Sequence, residues 1–190
     1  VEQVGVAVIG QSGNLTPADK KLYALRDVTA TVDSLPLITS SIMSKKLAAG
    51  SHSIVLDVKV GSGAFMKTLD DARKLAENMV AIGKACGRNV RAVLSNMDVP
   101  LGMAIGNALE VQEAAEILQG RGCEDLRGVC MTLAANMVEL CNGWDEDYAR
   151  EQVHEAVASG KAFEQMKRWI AAQGGDASVL GDFSKLPQAS

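Results

Sequence analysis

Three polar residues near the start of the sequence have the types and spacing to bind a polar ring. Ser41 and Lys45 are four residues apart in a stretch with helical periodicity, so both side chains share one helix face. Arg26 lies at the end of the preceding predicted helix, from where its planar guanidinium can reach the same place. Two cations and a hydroxyl form a donor-rich group suited to the carbonyl oxygens of a ring, or to an anion.

Spacing alone also allows a purely structural interpretation of these residues, and favours it. Lys45 and Lys46 end a predicted helix, where positive charge complements the negative end of the helix dipole. Arg26 could equally form an ion pair with Asp27 or Asp33. The pattern by itself therefore leaves the question open.

Two glycine-containing stretches are further candidates. Gly61-Ser62-Gly63 follows an apolar strand, but neither GxGxxG nor a P-loop follows, so a tight turn at the end of the sheet is the favoured interpretation. Residues 100–107 form a predicted irregular loop, and Glu113 follows it on a helix. Its carboxylate could join loop carbonyls around a hard cation, although most glutamates on helix faces are simply solvated.

The elements that position these groups are predicted from periodicity and from helix boundary signals. Residues 4–10, VGVAVIG, are predicted to form a buried strand, followed by a loop over QSGN. Helices are predicted from Pro17 to about Arg26 and from Pro36 to Gly50. Beyond Ser51, strands and helices alternate, and two further helices precede the tail DFSKLPQAS. This order predicts an α/β fold with a mostly parallel or mixed sheet flanked by helices, and a small helical segment near the N-terminus.

Composition excludes several classes of function. The 190 residues carry a formal net charge of −4, which offers no basic surface for nucleic acid. No apolar run approaches the roughly 18 residues of a membrane span, and no signal-peptide pattern opens the sequence. The four cysteines form no CxxC pair, so we expect reduced thiols in a cytoplasmic protein and no zinc site.

Three blocks of the sequence together resemble a known enzyme family. They are GQSGNLTPADKKLYALRDVTATVDSLPLITSSIMSKKLAAG, DVKVGSGAFMK and SNMDVPLGMAIGNALEVQEA. In this order and spacing they are similar to the thymidine and pyrimidine-nucleoside phosphorylases, and more nearly to the bacterial pyrimidine-nucleoside type. The resemblance runs from about Gly5 to the C-terminus. It implies reversible phosphorolysis, in which a pyrimidine nucleoside and inorganic phosphate give the free base and a pentose 1-phosphate.

The resemblance also assigns roles to particular residues. It implies that the polar edge of the pyrimidine is held by Arg26, Ser41 and Lys45, of which Arg26 and Lys45 are catalytic. Apolar contacts to the ring are implied for Val32, Ile38 and Phe65. A potassium site built from two loop carbonyls and a carboxylate is implied at Leu101, Ala104 and Glu113. The resemblance also implies a homodimer in the full-length protein and no organic cofactor, while charge and composition predict no nucleic-acid or membrane partner.

The resemblance places residues 1–16 and 51–190 in a large α/β domain and residues 17–50 in a small helical domain. The family's phosphate loop, of Lys-His-Ser/Thr-Gly-Gly type, is not found in these 190 residues. We therefore expect the sequence to be the central part of a longer enzyme and to be inactive alone. Two alternatives remain at this point: a base-binding module without catalysis, and a phosphoribosyltransferase of related architecture. The base-edge residues and the lack of a diphosphate–Mg²⁺ motif count against the second.

Overall fold

The computed structural model of the chain describes residues 1–10 and 15–187. The helices and strands within these residues are α1 (Pro17–Val28), α2 (Leu35–Ala48), β1 (Ser53–Val60), α3 (Leu69–Ala85), β2 (Asn89–Asn96), α4 (Asn107–Leu118), α5 (Glu124–Asn142), α6 (Glu146–Ala158) and α7 (Lys161–Ala172). Two short 3₁₀ helices follow, at Ala177–Leu180 and Phe183–Lys185. Of the helices so described, none combines the length and apolar character that crossing a membrane requires.

The sheet confirms the predicted α/β fold with helices beside parallel strands. Strands β1 and β2 pair in parallel, with Ser53 opposite Asn89 and Val60 opposite Asn96. Because side chains alternate along a strand, Ile54, Leu56 and Val58 all point to one face of β1, where they are buried. Helix α3 connects the two strands and packs on both of them.

The described residues group into two compact units. One comprises Gly10–Pro100 with Asn136–Trp144, and the other comprises Val1–Ile9, Leu101–Ala135 and Asp145–Ser190. The core of the first unit joins α2, α3 and the buried face of β1, with Ile38, Met43, Leu56, Leu75 and Met79 among its members. The core of the second unit is built around Ala115, Met166 and Leu180.

Helix α3 shows why the sequence adopts these elements. Its side chains at Ala72, Leu75, Ala76 and Met79 follow helical spacing and are buried against the sheet. The helix begins where the Thr68 hydroxyl accepts a hydrogen bond from the Asp71 N–H, which satisfies a backbone donor that has no partner within the helix.

The predicted strand at residues 4–10 is wrong. These residues are outside the sheet, and Val8 and Ile9 are 62% and 79% exposed. Side-chain amides bind this segment instead: Val8 N–H donates to Gln173 Oε1 and Gln173 Nε2 donates to Val8 O, both at 2.9 Å, while Gln165 Nε2 donates to Val4 O. An apolar run forms a strand only when another strand satisfies its backbone, and here glutamine amides satisfy part of it. The predicted loop QSGN and the last three residues of the tail lie outside the described residues.

Candidate active site

Arg26 is buried at the end of α1 and retains unused hydrogen-bonding capacity. The residue is 6% exposed, and its Nη2 donates to the carbonyl oxygen of Val32. Its buried Nε has no hydrogen-bond partner, and no carboxylate forms an ion pair with it, within the described part of the chain. The alternative pairing with Asp27 or Asp33 is therefore not observed. A buried guanidinium with a spare donor is expected to bind a ligand, because an unsatisfied buried polar group is costly.

Lys45 and Ser41 lie together on one face of α2, as their spacing predicts. Lys45 Nζ donates to Ser41 Oγ at 2.8 Å and to Ser41 O at 2.9 Å. It also forms an ion pair with Asp19 Oδ2 at 2.5 Å. Helix α2 thus presents a hydroxyl and an ammonium group at one point, held there by a carboxylate from α1.

Tyr23 and Asp19 belong to this site and were not identified from the sequence. The Tyr23 ring lies near both cations, with its centroid 5.2 Å from Arg26 Cζ and 5.8 Å from Lys45 Nζ. Asp19, Tyr23 and Arg26 follow one another at helical spacing, so a single face of α1 carries all three. That spacing is a signal in the sequence that could have found them.

Of the residues predicted to contact a ring, two line an apolar cleft and the third lies next to Arg26. Ile38 and Phe65 both line an apolar cleft of about 300 Å³, together with Ile42, Ala64 and Met97. Ile38 shares the α2 face that carries Ser41 and Lys45, since the three are spaced three and four residues apart. Val32 is not among the residues that line the cleft, and it meets the site through its carbonyl oxygen, which accepts from Arg26.

The Gly61-Ser62-Gly63 stretch is a tight turn fastened to the loop after β2. Ser62 N–H donates to Asp98 Oδ1 at 2.8 Å, and Ser62 Oγ donates to Asp98 O at 3.0 Å. Gly63 N–H donates to Met97 O at 2.9 Å. Because these groups are engaged with the protein, the turn positions Phe65 at the cleft and does not form an anion cradle.

Of the residues predicted to bind potassium, Ala104 contacts the buried carboxylate of Glu113 through its backbone N–H. Glu113 on α4 is 9% exposed, and Oε1 accepts from the Met103 N–H at 2.7 Å. Oε2 lies 3.4 Å from the Ala104 N–H, which donates to it. No Lys or Arg forms an ion pair with Glu113 in residues 1–10 and 15–187. Leu101 lies in the same loop next to Gly102, where an added β-carbon would lie 3.0 Å from Glu113 Cδ.

The site on α1 and α2 carries two cations and one anion, and α2 also carries Ile38, which lines the apolar cleft. Such a combination suits a flat ring whose face is apolar and whose edge carries oxygens that gain negative charge. Guanidinium and ammonium groups both remain donors only, so they recognise carbonyl or anionic oxygens and reject ring N–H groups.

Comparison with known proteins gives the class of this chain. Residues 1–163 match the Glycosyl transferase family, a/b domain, and the chain belongs to that family.

Individual relatives of the chain have names that state a narrower activity than the family description does. The chain is 61% identical over 186 residues to a pyrimidine-nucleoside phosphorylase of Bacillus subtilis (strain 168), and 60% identical over 185 residues to one of Geobacillus stearothermophilus. It is 59% identical over 190 residues to one of Staphylococcus aureus (strain USA300). These alignments cover 97%, 97% and 100% of this chain but 43%, 43% and 44% of the relatives. The resemblance seen in the sequence is confirmed, and the chain spans less than half the length of these relatives.

Proposed function

We propose that this chain supplies the pyrimidine-binding residues of an enzyme that cleaves pyrimidine nucleosides with inorganic phosphate. The observation that carries the proposal is the buried Arg26 with its unused Nε donor, beside the Ser41–Lys45 pair on the neighbouring helix. The relatives named pyrimidine-nucleoside phosphorylases support it. Phosphate binding is assigned to residues outside this chain, so the 190-residue chain alone is expected not to catalyse phosphorolysis.

The proposed reaction places negative charge where these cations lie. A phosphate oxygen forms the new bond to C1′ of the pentose, the C1′–N1 bond breaks, and its electron pair moves onto the base. A proton released from the hydrogen phosphate ends on the base, which leaves neutral. Donors that tighten on the developing charge stabilise the transition state more than the ground state. One such donor commonly lowers the barrier by about 3 kcal/mol.

Each of the three polar residues would bind a different part of the base. They are Arg26, Ser41 and Lys45. The guanidinium of Arg26 has several donors in a fixed plane and suits an oxygen on the ring edge. The Ser41 hydroxyl can donate or accept, so it suits a ring N–H or an oxygen. The Lys45 ammonium is a point charge that suits the oxygen where charge collects. Ile38 and Phe65 would pack against the faces of the ring.

The Glu113 loop is proposed to hold a potassium ion. A buried carboxylate without a cationic side chain is unfavourable unless something neutralises it, and oxygen ligands are those that hard cations prefer. The carbonyl oxygens of Leu101 and Ala104 would join the carboxylate. The ion would neutralise Glu113 and fix the loop that precedes α4.

Because the 190-residue chain alone is expected to be inactive, the test uses the longer enzyme to which this chain is proposed to belong, with uridine and thymidine as substrates. Lys45→Ala should lower kcat by at least about tenfold, because it removes a cation that stabilises the departing base. Lys46→Ala is the matched control, since Lys46 is the exposed neighbour on the same helix. Arg26→Lys should also lower kcat/KM by at least about tenfold, because lysine cannot reproduce the planar set of donors.

Two results would contradict the proposed function. One is a wild-type form of that longer enzyme that releases no base from either nucleoside in phosphate buffer. The other is a Lys45→Ala variant with the kinetics of Lys46→Ala. Uracil binding without turnover, measured by calorimetry, would instead identify a non-catalytic base-binding protein.

A further inference from the structure

The ammonium group of Lys45 has no free donor in the structure. Its three N–H groups are matched by three acceptors, namely Asp19 Oδ2 at 2.5 Å, Ser41 Oγ at 2.8 Å and Ser41 O at 2.9 Å. A pyrimidine oxygen can therefore reach Lys45 only when one of these acceptors gives way.

The three acceptors differ in how easily they can be displaced. The side chain of Asp19 is 11% exposed, so separating it from Lys45 would leave a largely buried carboxylate without its cation. Removing one partner of such a pair is strongly unfavourable. The Ser41 backbone carbonyl is fixed within α2, whereas the Ser41 side chain can turn about its Cα–Cβ bond and can donate to a ligand as well as accept from Lys45. The hydrogen bond from Lys45 to Ser41 Oγ is therefore the one that breaks when a ligand binds, and the ion pair between Lys45 and Asp19 is retained.

We infer that Asp19 is a positioning residue for the reaction: its carboxylate anchors Lys45 so that one ammonium N–H is directed to the leaving pyrimidine once the Ser41 hydroxyl turns to the ligand. This inference rests on the proposed function of the site. Asp19 acts through Lys45 and need not touch the substrate, which distinguishes its role from those of Arg26 and Ser41.

A purely structural role for Asp19 makes a different prediction. Asp19 lies in the first turn of α1, where any carboxylate interacts favourably with the helix dipole. Asp70 occupies the first turn of α3 and is exposed. A substitution at Asp70 therefore removes the same helix-dipole interaction without touching Lys45, and it serves as the matched control.

The experiment is a double-mutant cycle on kcat/KM for uridine phosphorolysis by the longer enzyme to which this chain is proposed to belong. Asp19→Asn should lower kcat/KM by at least about tenfold in the wild-type background. In the Lys45→Ala background the same change should alter kcat/KM by less than about twofold, because the residue it acts through is already absent. Asp70→Asn should change kcat/KM by less than about twofold in either background. Asp19→Glu keeps the carboxylate and should retain roughly a third or more of the wild-type value.

The outcomes separate this inference from the proposed function. Equal losses from Asp19→Asn in both backgrounds would overturn the positioning role while the wild-type activity still supports the function. An Asp19→Asn variant that is as active as Asp70→Asn would likewise overturn the positioning role and leave the proposed function supported. If Asp19→Asn does not fold, a loss of more than about tenfold in the folded Asp19→Glu variant would overturn the role. Absence of phosphorolysis in the wild-type form of the longer enzyme would overturn both.

Discussion

A β-carbon added to Gly102 would lie 3.0 Å from Glu113 Cδ, and closer still to the carboxylate oxygen Oε2. Gly102 also has a φ of +78°, a backbone conformation that side-chain-bearing residues rarely adopt. The loop before α4 and the Glu113 carboxylate therefore fit together only because residue 102 has no side chain.

Gly102→Ala should lower the free energy of unfolding through two separate effects. The left-handed backbone conformation costs about 1 kcal/mol for alanine, and displacement of Glu113 adds about 1–3 kcal/mol. Urea unfolding measures the sum. Gly174→Ala is the control, since Gly174 has a φ of +83° with no atom within 4 Å of an added β-carbon. Equal losses in the two variants would show that the Glu113 contact carries no energy.

Potassium should raise the melting temperature through Glu113 if the proposed site is correct. An ion present at ten times its Kd stabilises the folded state by about 1.4 kcal/mol. Differential scanning fluorimetry in KCl and in NaCl of equal ionic strength measures the difference without requiring enzyme activity. Glu113→Gln should abolish it, whereas Glu110→Gln, an exposed residue on the same helix, should preserve it. A potassium effect that survives Glu113→Gln would place the ion elsewhere.

Alanine substitution should change the stability of the protein in opposite directions at two helical glycines, because only one of them packs against a strand. A β-carbon on Gly83 would overlap the Val90 side chain, with even Val90 Cβ only 3.2 Å away. Gly83→Ala should therefore destabilise the protein by about 1–3 kcal/mol. An added β-carbon at Gly128 on α5 meets nothing within 4 Å, so Gly128→Ala should stabilise it by up to about 1 kcal/mol. Thermal unfolding of both variants decides the matter, and a stabilised Gly83→Ala would contradict the packing described for α3.

The two 3₁₀ helices should lose stability in acid. The Ser178 backbone N–H and hydroxyl hold the pKa of Asp176 below its ordinary value, and the Ser184 hydroxyl and N–H do the same for the pKa of Asp182. A carboxyl with a lowered pKa in the folded state contributes stability above its unfolded pKa and loses it as the pH falls through the folded value. The difference in unfolding free energy between wild type and Asp176→Ala should therefore be present at pH 7 and shrink below about pH 4. A difference that does not change with pH would contradict this.

Much of the fold follows from local patterns in the sequence. The periodicity of residues 69–85 and the β-branched runs on either side predict α3 between two parallel strands, because each pattern matches a face that is buried in the structure. The incorrect strand prediction at residues 4–10 shows that local patterns do not determine which segments join the sheet. Its apolar run is real, but whether a run becomes a strand depends on a distant pairing partner that periodicity does not reveal.

The candidate site shows the same division between local and distant information. The Ser41–Lys45 pair was predicted, because the geometry of one helix fixes it. The Asp19–Lys45 ion pair joins residues 26 positions apart on two helices, and several nearby carboxylates were equally possible from the sequence. Spacing thus predicts which groups share a helix face, and only the packing of α1 against α2 decides which acid meets Lys45.

The Gly61–Gly63 turn is hydrogen-bonded to Met97 and Asp98, and this contact limits where related chains can gain or lose residues. A β-carbon at Gly63 would lie 2.7 Å from the Met97 carbonyl oxygen, and one at Gly61 would lie 2.6 Å from Asp98 Oδ1. An insertion in either loop would separate these partners and move Phe65 away from the cleft that it lines. Insertions and deletions among relatives should therefore avoid both loops or occur in the two together.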